Sequence, residues 1–235
     1  CMPGTMMYEG CLQTMAFYMA ALGFTVDHDG WRFEPVPEES YKLVCRGQVI
    51  PSNKHVVYEL FVEEVIHGTT PTLYADLLVT VDGLAAFHCR RMGLRLVPGF
   101  PLESRQSLFG GAEMLDPAPE RNARTPDHVY DPLSIAACAW GKPSDAFGDL
   151  FARFDGPERC PRLPGPPYLY MTRVTAVDAA KGVPVSGGGV EAEYQIPPDA
   201  WYFSENGNRT MPYAVLLEAA LQPCGWFASY KGSVL

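Results

Sequence analysis

The chain has 235 residues, 47% of them hydrophobic, and a formal net charge of −9 from 18 Lys+Arg against 27 Asp+Glu. That apolar fraction suffices for one large or two modest cores, and the acidic balance argues against a nucleic-acid backbone as partner. The seven cysteines are scattered and never stand in a CxxC spacing, so no metal site is expected and a reducing, cytoplasmic setting is the natural reading.

The chain opens with CMPGTMMYEGCLQTMAFYMAALG, where the only polar side chains between Met6 and Leu22, tyrosine aside, are Glu9, Gln13 and Thr14. Such a run predicts a helix buried on nearly every face. It is too short and too polar for a membrane span of about 20 clean apolar residues, and it lacks the basic start of a signal peptide. Gly23 and the loop around Asp27, Asp29 and Gly30 end it. Four strand patterns follow at Tyr41–Ile50, His55–Ile66, Thr72–Val81 and Leu84–Leu96, the last two joined by Asp82–Gly83, a type I′ hairpin signal. The expected result is an antiparallel meander wrapped on an apolar helix.

From Pro101 to Pro167 proline and glycine recur every few positions, which predicts an extended connector with one short helix near Pro143–Phe154. Strand patterns return at Tyr168–Val177 and Val190–Ile196, joined by VSGGG. No lysine or helix follows that glycine run, so it reads as a strand connection and not a phosphate loop. A second apolar helix, Tyr213–Tyr230, closes the chain.

Laid over the first helix at a constant offset, the second matches Met2 to Met211, Pro3 to Pro212, Glu9 to Glu218, Leu12 to Leu221, Gln13 to Gln222 and Gly23 to Gly232. The chain therefore carries two copies of one motif. One copy is followed by strands and the other preceded by them, so the expectation is a chain that begins within one strands–helix–meander unit and ends within the next. Cys11 and Cys224 read as small core side chains, and the five histidines as surface or loop residues.

The first copy holds a candidate site. Pro3 suits the start of a helix, and Gly4 leaves the exposed backbone donors open to a ligand. A helix N-terminus aimed at a carbonyl can stabilise an oxyanion. Glu9 and Gln13, spaced i and i+4, share one face just inside that end. Burial of Glu9 would favour its neutral, proton-donating form.

The string MPG, four residues, an acid, three residues and Gln, on a long apolar helix before a meander, resembles the hot-dog fold of 3-hydroxyacyl-[acyl-carrier-protein] dehydratase/isomerases. CMPGTMMYEGCLQTMAFY, GWRFEPVPEESYKL, PTLYADLLVTVDGL, RFDGPERCPRLPGPPY and PPDAWYFSENGNRTMPYAVLLEAALQPCGW are similar to the tandem dehydratase region of polyunsaturated fatty acid synthases. The resemblance implies an α+β hot-dog fold, with antiparallel sheets around long central helices. Residues 1–100 would form the C-terminal part of a catalytic-type unit, 101–167 a connector, and 168–235 the N-terminal part of a degenerate unit.

It also implies a hydro-lyase that dehydrates 3-hydroxyacyl thioesters on the phosphopantetheine of an acyl carrier protein to 2-enoyl thioesters. Glu9 and Gly4 would be catalytic, Gln13 supporting, and no metal or redox cofactor needed. Acyl carrier protein and other synthase domains would be the partners, without nucleic acid or membrane, and a homodimer is an assembly it allows. Two departures stand out. The family's catalytic histidine, in an HF–x2–DP stretch before MPG, would fall before Cys1, which makes this segment an incomplete enzyme. In the second copy Glu218 and Gln222 match, but Tyr213 replaces the glycine and SENGNRT carries no histidine, so that copy reads as degenerate. A hot-dog thioesterase and a non-catalytic structural or carrier-docking module are the alternatives.

Overall fold

The computed structural model describes residues 2–98, 121–205 and 210–234. Cys1, the start of the expected connector and most of SENGNRT lie outside them. The chain divides into two compact units, residues 1–115 and 116–235.

In the first unit, α1 (Gly4–Ala21) is followed by β1 (Arg32–Pro35), β2 (Lys42–Cys45), β3 (Val56–Ile66), β4 (Thr72–Val81) and β5 (Leu84–Val97). The antiparallel sheet runs β1-β5-β4-β3, with β2 also paired to β5. Asp82 and Gly83 both adopt positive φ, 49° and 85°, as a type I′ turn requires. The Asp82 carboxylate also accepts from Asn53 Nδ2 and the backbone N–H of Lys54 and His55, which ties the start of β3 to this turn. The inner faces of β4 and β5 (Leu73, Ala75, Leu77, Val79, Phe87, Cys89, Met92) are buried, as are Met7, Cys11, Leu12, Met15 and Met19 of α1. Desolvation, with the Cys89 thiol adding to it, pushes the Cys11 thiol up to about 12, as suits an inert core side chain.

One expectation needs correcting. α1 is not enclosed on all sides: Phe17 is 77% exposed, and Met6 and Gln13 are exposed too. A single sheet can cover only one face of a helix, and an apolar sequence does not say how many faces are covered.

The second unit contains β6 (Arg124–Thr125), β7 (His128–Val129), α2 (Pro132–Ala139), α3 (Pro143–Phe147), a 3₁₀ turn (Asp149–Asp155), β8 (Arg173–Asp178), β9 (Gly189–Glu193), α4 (Trp201–Glu205) and α5 (Tyr213–Tyr230). β6 pairs with β7 and β8 with β9, both antiparallel. Residues 121–167 are no extended strap. Their Tyr130, Ile135, Cys138, Phe147, Phe151 and Phe154 form a buried cluster with Trp226 and Tyr230 of α5. The prolines mislead here because Pro132 and Pro143 sit at the first turn of short helices, where the missing N–H costs nothing. Asp131 caps the first of these by accepting from Ser134 N at 3.0 Å.

Lys181, 11% exposed, fastens three parts of this unit. Its ammonium donates to Asp127 Oδ1 at 2.6 Å and to the Phe147 carbonyl at 2.9 Å. The hydrogen bond from Lys181 holds the Asp127 carboxyl below its ordinary value. A depressed carboxyl contributes stability above its unfolded pKa and loses it as pH falls through the folded one. Lys181→Met is therefore expected to lower stability at pH 7, by about 1 kcal/mol because solvent screens the half-exposed Asp127 carboxylate. The gap between the wild-type and variant melting temperatures should narrow below about pH 4. Thermal melts across that range check it, and a gap that widens in acid would count against the clamp.

The two long helices share their ends. Each is preceded by an extended proline (Pro3, φ −62°, ψ 151°; Pro212, φ −58°, ψ 148°), and each spans 18 residues. Each then stops at a positive-φ glycine, Gly23 or Gly232. Gly23 N donates to Ala20 O and Phe24 N to Met19 O, while Gly232 N donates to Ser229 O and Ser233 N to Ala228 O. The repeat seen in sequence is thus repeated as geometry.

Candidate active site

The site is built on the first three turns of α1. Met2 N donates to Val49 O at 2.7 Å, which fixes the chain entering the helix. Pro3 turns it into the first turn, and Gly4 N–H is among those that no helical carbonyl can accept. A side chain on Gly4 would stand 3.2 Å from Cys45 Sγ. That is a tight approach, so the helix start is bare backbone packed close beneath a thiol, and a side chain at this position would make Cys45 give way. Further along, Gln13 Nε2 donates to Glu9 Oε1 at 3.1 Å, so the structure brings these two predicted residues together on the open side of α1. Glu9 is half-buried rather than enclosed, and the burial expected of it is not supplied by the sheet.

Cys45 was not foreseen. It lies on β2, distant in sequence, and only the pairing of β2 with β5, Cys45 opposite Phe87, brings it to Gly4. Burial raises its thiol pKa, which keeps it protonated near neutrality. Gly47 sets this approach: its N–H donates to Ala86 O at 3.0 Å, and a Cβ on it would meet Ala86 Cα at 2.6 Å. Backbone cannot yield there, so Gly47→Ala is expected to destabilise by about 1–3 kcal/mol. Chemical denaturation of the variant would show it; an unchanged midpoint would mean β2 is free to move.

The second copy looks different. Glu218 and Gln222 are both buried, and Gln222 Nε2 donates to Glu218 Oε1 at 3.1 Å, as in the first copy. Here, however, Gln222 also donates to Tyr168 O at 2.8 Å and accepts from Tyr170 N at 2.7 Å. Tyr213 stands where Gly4 stands in the first copy. Cys224, expected in the core, is exposed on this helix. The five histidines divide: His55 and His67 are exposed, while His28, His88 and His128 are half-buried, and among the described residues the hydrogen-bond partner of Glu9 is Gln13, not a histidine. No described helix is long and apolar enough to cross a membrane.

Among curated proteins, one of the polypeptides of the polyunsaturated fatty acid synthase of Thraustochytrium sp. is 23% identical over 338 residues, an alignment that takes in 97% of this chain and 22% of that protein. The chain thus spans about a fifth of the length of that relative. A family model described as the FabA-like domain matches residues 1–90 and 163–234, the two stretches that carry the repeated helices. With most of its length matched in this way, the chain belongs to the FabA-like domain family of hot-dog dehydratases.

Proposed function

We propose that this chain serves the dehydration of 3-hydroxyacyl thioesters to 2-enoyl thioesters in polyunsaturated fatty acid synthesis, as a hydro-lyase segment of a larger synthase. The observation that carries this reading is the Glu9 carboxyl group held by Gln13 Nε2 on the open side of α1, behind a helix start that is bare at Gly4. The substrate arrives on the phosphopantetheine of an acyl carrier protein. Its thioester carbonyl accepts from Gly4 N–H, and the positive end of the helix stabilises the enolate as a base removes the proton from carbon 2. The Glu9 carboxyl group passes a proton to the hydroxyl on carbon 3, the C–O bond breaks, and water leaves. The chemistry calls for no metal or redox cofactor.

The base is a residue other than Gln13, the partner of Glu9 among the described residues. The second copy, with Gln222 occupied in holding backbone and Glu218 buried as an acceptor of its amide, is assigned a non-catalytic role.

The test is a 3-hydroxyacyl pantetheine thioester offered to the chain and to the longer synthase polypeptide, with products identified by mass. Loss of water from the longer polypeptide supports the proposal. Release of free acid and thiol would point to the thioesterase alternative, and binding without conversion by either protein would leave the carrier-docking module as the better reading.

A further inference from the structure

The face of the first unit's sheet turned away from α1 carries a groove of about 660 Å³. Strand alternation assigns it to that face: Leu77 and Cys89 are fully buried on the helix side, while their neighbours Leu78 and His88, paired with each other, line the groove. On β2, Cys45 stands against Gly4, so Val44 and Arg46 on either side of it point the other way, into the groove, as does Lys42. The groove is polarised along its length. Val44, His88 and Leu78 stand side by side on β2, β5 and β4, and the exposed ring of Phe61 on the edge strand β3 lies diagonally beyond Leu78. That makes a track about 14 Å long at about 4.8 Å per strand. The cations gather at its β2–β5 end, where Lys42 and Arg90 face each other across the pair and Arg46 follows just past β2. Toward the β3 end stands the Asp76 carboxylate, opposite Phe61, with one oxygen accepting from Arg91 N at 2.8 Å. Other arginines of this sheet are engaged, Arg32 and Arg95 by Glu34 and Arg91 by Glu63 and Glu64. Lys42, Arg46 and Arg90 have no carboxylate partner among the described residues, in a chain whose net charge is −9.

We infer that this groove binds a free fatty acid, with the carboxylate on Lys42, Arg90 and Arg46 and the chain laid over Val44, Leu78 and Phe61. Three cations without partners at one end call for an anion there, and a guanidinium beside an ammonium suits a carboxylate. Charged or neutral, the His88 imidazole offers at least one further N–H within the row. Asp76 repels a second anionic group at the far end, which selects a ligand with one charged head over a dianion. The track is apolar beyond the head group and one chain wide, and β3 is the sheet's edge, so a chain longer than the track runs out past Phe61 into solvent. The inference does not depend on the proposed reaction: the groove lies on the opposite face of the sheet from Gly4 and Glu9, and binding is read without turnover.

The probe is cis-parinaric acid, a polyene fatty acid that fluoresces on entering an apolar site, titrated into the full chain below its micellar concentration. The expected result is saturable one-to-one binding with Kd about 10 μM. Dodecanoate should displace the probe, and dodecanol, which has the chain without the charge, should do so about tenfold less well. Lys42→Gln combined with Arg90→Gln should weaken binding about tenfold; both residues are exposed, so the melting temperature should hold, and the dodecanol comparison needs no variant at all. Phe17→Ser, on the exposed flank of α1, should leave binding unchanged. No binding at about 100 μM probe, equal displacement by dodecanol, or an unchanged affinity in the paired variant overturns the inference. Loss of binding in Phe17→Ser does so too, because the chain would then lie on α1. So does attachment to vesicles containing phosphatidylglycerol without binding of the free acid, since the cations would then serve a membrane surface.

Discussion

Replacing Glu9 by glutamine in the synthase polypeptide is expected to reduce dehydration of a 3-hydroxyacyl thioester by about 10²–10⁴-fold, the usual worth of a positioned proton donor or acceptor. The amide has the same shape, and Glu9 is half-buried with Gln13 as its partner, so the fold should survive and the melting temperature should hold. Glu218→Gln should leave turnover unchanged, because that carboxyl group is buried and accepts from the Gln222 amide, and the helix start of its copy carries Tyr213 in place of a glycine. Glu218→Leu should instead cost stability, by about 1–3 kcal/mol, since it takes away an acceptor of the buried Gln222 amide. The measurements are turnover on a carrier-bound substrate and a melting curve for each variant. If Glu218→Gln silenced the reaction as fully as Glu9→Gln, with stability intact, the second copy would have to be counted as catalytic.

Trp226→Ala should be the most damaging single change in the second unit, at about 3–5 kcal/mol. The indole is fully buried and meets the rings of Tyr130, Phe147 and Tyr230 at centroid distances of 5.2, 5.5 and 5.2 Å. Those partners come from residues 121–167 and from α5, so the cavity would open at the seam between the proline-rich stretch and the repeated helix. Trp226→Phe should be far milder, because Nε1 has no hydrogen-bond partner among the described residues. Denaturant titration of both variants distinguishes the cases; equal losses would mean that the indole N–H matters after all, and a negligible loss for Trp226→Ala would mean that the stretch is not packed on α5.

Much of this was legible in the sequence, for reasons that differ by element. The second helix begins and ends where its pattern says, and α1 nearly so, because proline and glycine mark their ends by local backbone chemistry. The β4–β5 hairpin was legible because Asp82–Gly83 selects one turn. The Glu9–Gln13 pair was legible because i and i+4 are neighbours on any helix. What was missed is non-local or too short to show a period. β1 has four residues and ends on Pro35, so only its pairing with β5 makes it a strand. Cys45 reaches Gly4 through sheet register, and the core of residues 121–167 rests on aromatic residues meeting across long separations. Composition reports the turns in that stretch and is silent on which rings touch.

The matched ends of the two helices restrict how such a chain can vary. Between an extended proline and a left-handed glycine lie 18 helical residues and a one-residue cap in both copies, a rod about 27 Å long at 1.5 Å per residue. Inserting or deleting one residue before Glu9 would turn every later side chain by about 100° relative to the capped start and carry the acid off its face, toward the side where Met7 and Cys11 lie against the sheet. Substitutions keep the count: Gly4 stands against Tyr213, Thr14 against Pro223, and Cys11 against Ala220. The copies have diverged in chemistry while agreeing in length, so changes of length are expected to be tolerated in the loops and rejected between the proline and the glycine.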